Sequence, residues 1–264
     1  MEDYLDINRK LWNDKVAVHL QSDFYNLQGF MEGATSLREV ELSLLGEIQG
    51  KEILHLQCHF GQDSLSLARM GAHVTGVDLS DEAIKAAQTL KDQLSLPAQF
   101  IQCDILGLPA VHSKQYDWVF STYGTIGWLP DMSKWAEVVH HFLKPGGKLL
   151  LVEFHPVVWM FDDKFTHVQY SYFNDEPISE LTEGTYAENA AAIANPAISW
   201  NHPLAEVMGA LLQQGLSIVD FQEYPFSPYP CFSELEEIGP SRYRIKHMED
   251  KLPMLYSLVV EKVG

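Results

Sequence analysis

The 264-residue chain is short of several things, and each shortage removes a class of function. Positive charge is scarce: 18 Lys and Arg against 36 Asp and Glu leave a formal net charge of −18. A surface of that sign repels phosphate backbones and anionic headgroups, so neither nucleic acid nor a membrane is an expected partner. Cysteine is rare and odd in number. Cys58, Cys103 and Cys231 lie far apart and form no C-x-x-C pair. Neither a zinc ribbon nor a disulfide framework follows, and cytoplasmic residence is expected. No apolar run reaches about 18 residues, so no membrane span is expected. The opening MEDYLDINRKLW is acidic and has no apolar h-region, which argues against a signal peptide. The 11 histidines show no H-E-x-x-H spacing, and His140 and His141 point to different helix faces, so no metal is expected. No internal repeat or low-complexity tract occurs.

What is present is concentrated in Ile53–Ser80, ILHLQCHFGQDSLSLARMGAHVTGVDLS. Ile53, Leu54 and Leu56 make an apolar strand, and Gln57-Cys58-His59-Phe60-Gly61 a tight turn. Leu65, Leu67 and Ala68 mark one face of a short helix, which Gly71 ends. A second strand, His73-Val74-Thr75-Gly76-Val77, delivers Asp78 at its C-terminal edge. Parallel α/β sheets bind ligands at that edge, and an acid there grips ribose hydroxyls. Asp78 stands 17 residues beyond Gly61, near the spacing of about 20 for a ribose-binding acid. The segment points to a nucleoside-like cofactor.

The turn discriminates between cofactors. A dinucleotide site wants G-x-G-x-x-G, so that the backbone can approach a pyrophosphate closely. Glycine is scarce here too: only Gly61 is left, and Gln57, Cys58 and His59 carry side chains that crowd a diphosphate. S-adenosylmethionine has a ribose and an adenine but no phosphate. On these residues the chain resembles the class I S-adenosylmethionine-dependent methyltransferases of small-molecule type, with a variant first motif, LHLQCHFGQD. Where the family's D-x-G-x-G-x-G has an acid and two early glycines, this chain has His55, Gln57 and His59. The resemblance covers roughly residues 50–155 well and 200–264 loosely. It implies S-adenosylmethionine as cofactor, S-adenosylhomocysteine as product and in-line methyl transfer. Two alternatives stand beside it: an NAD-dependent oxidoreductase on a Rossmann-like sheet, and a non-catalytic cofactor-binding module of methyltransferase fold.

Strands continue to alternate with helices. Residues 4–30 read as amphipathic helix, and Ser36 as the cap of a second helix with Val40, Leu44, Leu45 and Ile48 buried. Ser80 caps a helix carrying Ala83, Ile84, Ala87 and Leu90. Strands follow at Gln99–Gln102, Tyr116–Phe120 and Lys148–Glu153, the last opened by the turn Lys144-Pro145-Gly146-Gly147. A helix at Leu204–Leu212 and strands at Leu216–Phe221 and Met254–Val263 close the chain. The rhythm implies a parallel sheet with right-handed crossovers. With the resemblance, the expected fold is α/β: a doubly wound, Rossmann-like, seven-stranded and mostly parallel sheet, its last strand antiparallel. The expected division is a helical cap (1–49), a cofactor-binding core (50–156), an inserted β-rich lid (157–200) and a C-terminal completion (201–264). The insertion is aromatic and acidic. Its expected hairpin pairs His167–Tyr172 with Thr185-Tyr186-Ala187, over the acceptor pocket.

Among candidate site residues, Asp78 is the ribose ligand. The turn residues Gln57, Cys58, His59 and Gly61 face the amino-acid tail of the cofactor, although Cys58 also reads as a small buried filler. By resemblance, Asp104 accepts from the adenine amine, Leu79 and Ile105 sandwich the ring, and Ser121, Thr122 and Tyr123 run past the sulfonium. Trp12, Asn13 and His19 lie on the N-terminal helix that closes over the cofactor in such enzymes. Methyl transfer asks mainly for positioning, with a base only where the acceptor must lose a proton first. Tyr123 is a candidate for orienting the acceptor. His155 is the candidate base, because an ordinary histidine titrates near ~6.5; beside Pro156 it reads equally well as structural. The acceptor is expected to be a small molecule, and an aromatic, acidic cover suits a cationic or amine group. A homodimer stays open.

Overall fold

The computed structural model of the chain describes residues 4–173 and 176–264. Met1–Asp3 and Asn174–Asp175, parts of the expected cap and lid, lie outside the described residues. Three helices lead in, α1 (Tyr4–His19), α2 (Leu27–Met31) and α3 (Glu39–Leu45). Then come β1 (Glu52–Leu56), α4 (Gln62–Arg69), β2 (His73–Asp78), α5 (Asp81–Leu94), β3 (Ala98–Gln102), β4 (Tyr116–Thr122), α6 (Met132–Phe142) and β5 (Leu143–Phe154). A hairpin, β6 (Ile178–Glu183) and β7 (Ala194–Ser199), precedes α7 (Leu204–Gln213) and β8 (Leu216–Tyr224). A second hairpin, β9 (Leu235–Gly239) and β10 (Arg242–Ile245), precedes β11 (Leu255–Lys262).

Seven strands make one sheet in the order β3-β2-β1-β4-β5-β11-β8. The first five pair in parallel, and β11 runs antiparallel to both β5 and β8. This is the architecture expected from the sequence. Both faces are covered. In β5, Leu149 and Leu151 pack with Trp135, Phe142 and Leu211 on one side, while Leu150 and Val152 pack with Phe60, Phe120 and Leu65 on the other. Burial on two faces makes such strands nearly continuous apolar runs, and each large side chain so buried contributes roughly 1.5–3 kcal/mol. Strand order reverses between β1 and β4, and the crevice over their C-terminal ends is where a doubly wound sheet takes its ligand.

Several local expectations fail, each for a visible reason. Residues 4–30 are not one helix: α1 stops at His19, and turns lead into α2. Ser36 does not cap α3. That helix starts after Arg38, and Ser36 bonds Ser66, hydroxyl to hydroxyl at 2.9 Å. The K-P-G-G stretch lies inside β5, where the register slips opposite β4 and Gly146 takes φ +75°. Residues 167–172 form no hairpin with 185–187. Asp162 captures the backbone N–H groups of Thr166 and His167, Met160 O accepts from Gln169 and Tyr170, and a lone bridge joins Phe161 to Val168. The pairing is instead β6 with β7. The β9–β10 hairpin has no counterpart in the sequence reading.

Candidate functional site

A cavity of about 1610 Å³ opens over the C-terminal ends of β1, β2, β4 and β5. It is walled by α1 on one side and by the β6–β7 hairpin and residues 229–233 on another. Pockets for one drug-sized ligand run to about 300–1,000 Å³, so this space is larger than one such ligand needs.

Its floor is the turn after β1. Gln57, His59 and Gly61 take φ +56°, +49° and +79°, so alternate residues are left-handed. That is a glycine-loop backbone built largely without glycine, and each side chain held there costs roughly 1–2 kcal/mol. Such strain persists where surrounding structure imposes it, and it clusters at functional sites. Gly61 is irreplaceable on steric grounds too: a Cβ there would sit 2.7 Å from the Phe100 ring and 3.0 Å from Ala87. Cys58 is a buried filler whose thiol lies where a side chain on Gly76 would have to go.

Asp78 ends β2 in the cavity wall. One carboxylate oxygen accepts from His59 N at 2.7 Å, the other from Ser80 N at 2.8 Å. The acid thus locks the turn to the start of α5, yet each oxygen keeps a second lone pair. Burial pushes this carboxyl up to about 6. Leu79, Asp104 and Ile105 line the same end. Asp104 accepts from Gly107 N at 3.1 Å, and burial raises it as well. Gln57 donates from Nε2 to Thr125 O at 2.8 Å, which leaves its Oε1 buried without a partner. Thr122 lines the cavity, as does Asp63 beside it. Ser121 does not: it is fully buried, 2.9 Å from the Thr125 hydroxyl.

His155 is a correction. It does not line the cavity. Its Nδ1 accepts from Val157 N at 3.2 Å, its Nε2 meets Glu223 at 2.9 Å, and burial lowers its pKa against the pull of that acid. The nitrogen that would serve as base is spent on backbone. The neighbouring acid Glu153 is also structural, accepting from the N–H groups of Gly124, Thr125 and Ile126 and so fixing the loop after β4.

Two charged residues escaped the sequence reading. Lys15 is 6% exposed, lines the cavity, and holds its ammonium 4.8 Å from the Trp12 ring centroid. Burial alone lowers it to about 8, and among the described residues no carboxylate pairs with it. His19 and His59, 2.9 Å apart through ring nitrogens, sit next to it, both kept neutral by burial, and His19 Nε2 is unpartnered. Glu41 is fully buried beneath Tyr123. The signal for both was legible. Leu11–Lys15–His19 and Leu37–Glu41–Leu45 are i, i+4 stripes with a charge in an otherwise inward-facing row. At the far end of the cavity, Tyr123 stands among aromatic rings, with Tyr229 at 5.1 Å and Phe154 at 6.2 Å between centroids.

Comparison with known proteins agrees with this geometry. Residues 53–147 match the family model of a methyltransferase domain. A ubiquinone biosynthesis O-methyltransferase of Coxiella burnetii is 29% identical over 133 residues, covering 49% of this chain and 56% of that protein. An S-adenosyl-L-methionine-dependent Diels-Alderase of Talaromyces variabilis is 34% identical over 124 residues, covering 45% of this chain and 42% of that one. The chain thus spans about half the length of the curated relatives it matches. Among solved structures, the geranyl diphosphate C-methyltransferase of Streptomyces coelicolor A3(2), crystallised with S-adenosyl-L-homocysteine, superposes with TM-score 0.61 at 15% identity. That match covers 99% of this chain and 98% of the other, and it shows a shared fold.

Proposed function

We propose, from a chain whose residues 53–147 match a methyltransferase domain, that the protein is a class I enzyme that transfers a methyl group from S-adenosylmethionine to a small-molecule acceptor. The observation that carries the cofactor is the crevice after β1 and β2: an acid with spare lone pairs faces a left-handed turn that keeps one glycine where a diphosphate site wants three. The groups left without partners match the cofactor's other end. Asp78 would hold the ribose diol, and Leu79, Asp104 and Ile105 the adenine. Lys15 would take the α-carboxylate, and the free Oε1 of Gln57 its ammonium. Bound there, the cofactor supplies an electrophilic methyl on a sulfonium. The chain's own task is to align an acceptor with it and to exclude water. The β6–β7 hairpin suits the second role, because Tyr186, on the loop between its strands, bonds Tyr25 at 2.5 Å across the cavity mouth. A reducing, cytoplasmic setting fits three free cysteines.

Paired calorimetric titrations test the reading. S-adenosylhomocysteine should bind and NAD should not. Asp78→Ala should weaken S-adenosylhomocysteine by about 1–3 kcal/mol, the loss expected when bonded polar partners are removed. Tight NAD binding with no heat from S-adenosylhomocysteine would favour an oxidoreductase.

A further inference from the structure

At the acceptor end of the cavity, Arg38, Glu41, Asp63, Tyr123 and Tyr229 form one polar cluster. Glu41 has no solvent exposure and does not itself line the cavity. Its Oε1 accepts from Arg38 N at 2.5 Å, closing the first turn of α3. Its Oε2 accepts from the Tyr123 hydroxyl. Tyr123 does line the cavity. Its backbone is pinned at φ +58°, with its N–H on Val152 O at 2.7 Å, so the phenol is held at both ends. The remaining charges face this pair from neighbouring elements. Burial raises the Asp63 carboxyl, on α4, against the pull of Ser36, Arg38 and Thr122 nearby. The Arg38 guanidinium stacks 4.5 Å over the Tyr229 ring and offsets one of the two carboxylates. Burial and Asp63 push Glu41 up to about 7, while burial and Glu41 hold the Tyr123 phenol well above its ordinary value. At neutral pH the proton therefore rests on Tyr123, and Glu41 is a base poised at working pH.

We propose that Tyr123 and Glu41 form a proton relay that deprotonates the acceptor, and that the acceptor is an aromatic hydroxyl compound. The proposal rests on the methyl-transfer reading above. Phenols ionise near ~10, as an ordinary tyrosine does, and Tyr123 is held above that, so it takes the acceptor's proton only as it passes its own to Glu41. An aliphatic alcohol is too weak an acid for that exchange, and a free amine attacks with its lone pair before any proton must leave. Tyr229 and Phe154 pack their rings beside the Tyr123 phenol and line the cavity, an aromatic setting for the acceptor. Atoms and electrons balance. The acceptor oxygen loses its proton to the Tyr123 oxygen and gains the methyl carbon. The phenolic proton of Tyr123 goes to Glu41 Oε2. The electron pair of the broken sulfur–carbon bond stays on sulfur. Glu41 acts through Tyr123, which alone meets the acceptor.

The test uses the full chain, with Glu41→Gln and Tyr123→Phe. Wild type is first titrated with S-adenosylhomocysteine. No heat there removes the cofactor reading and the relay with it, whereas a failure confined to the two variants removes the relay alone. The affinity of the S-adenosylhomocysteine complex for 4-nitrophenol, a phenol ionised at neutral pH, is then read by absorbance from about pH 6 to 9. Wild type should weaken about tenfold per pH unit above pH 8, because the complex keeps one proton that free Glu41 and free ligand have both lost. Glu41→Gln keeps the cap on Arg38 but cannot take a proton, so its affinity should be flat there, and Tyr123→Phe should lose the same dependence. With catechol and S-adenosylmethionine, wild-type kcat should rise with pH through about 7. Glu41→Gln should lower kcat about a hundredfold and flatten that rise, with KM for the cofactor and Tm unchanged. A wild-type pH dependence in Glu41→Gln, undiminished turnover, or no binding of 4-nitrophenol to the wild-type complex overturns the relay.

Discussion

Lys15 is the residue that ties stability to ligand. A buried ammonium without a counter-charge opposes folding, and its fall from 10.5 to about 8 corresponds to roughly 3 kcal/mol at neutral pH. The sign comes from linkage. Below pH 8 the folded state carries the charged lysine at full cost. Between pH 8 and 10.5 the folded protein sheds the proton and the unfolded chain keeps it, so stability rises with pH. Lys15→Met should therefore raise the Tm of the ligand-free protein at pH 7, with the gain vanishing towards pH 10.5. It should also weaken S-adenosylhomocysteine at least tenfold and leave 5′-methylthioadenosine, which lacks the carboxylate, unchanged. Thermal melts across pH and paired titrations check both halves; a Tm gain that persists at high pH would contradict the charge argument. At the same scale, the position of Asp78 at the cavity edge was legible because the apolar run of β2 ends on it. The sequence misplaced His155 because its competing partners, Val157 N and Glu223, come from the local backbone and from β8.

At the scale of elements, the loops over the sheet are held by single buried groups. Glu153 accepts from three successive N–H groups, so Glu153→Ala strands them and should cost on the order of 3–5 kcal/mol in denaturant unfolding, with Glu153→Gln losing less. Gly61→Ala adds a methyl 2.7 Å from the Phe100 ring at a left-handed φ and should cost about 2–4 kcal/mol. If that variant melts like wild type, the turn is not packed as described. The core elements were readable because period and caps agree with packing: Ser80 accepts from Ala83 N at 3.0 Å where the apolar period starts α5. The insertion was not. Alternating Val168, Tyr170 and Tyr172 suggested a strand, but alternation does not say which partner is present, and Asp162 bonding Thr166 and His167 turns the chain away first.

For the whole molecule, charge is the dominant collective term. A net charge of −18 repels itself in the folded state, so melting temperature should rise when salt is brought from about 0.01 M to 0.15 M, where the screening length falls from about 30 to 8 Å. A fall in Tm over that range would mean that favourable ion pairs outweigh repulsion. The ion pairs observed are mostly short-range and exposed, such as Lys85 with Asp81 and Glu82, and exposed pairs contribute little.

By itself the sequence determined the alternation of strands and helices and the crevice at the sheet's edge, because hydrophobic period, helix caps and a strand-end acid are local properties written in consecutive residues; the antiparallel last strand came from the family resemblance. Only the tertiary structure decided what fills that crevice's walls. Lys15, Tyr123 and Tyr229, and Glu41 behind Tyr123, come from four separate segments, and whether a buried charge is paired, orphaned or bonded to a phenol depends on contacts between residues far apart in the chain.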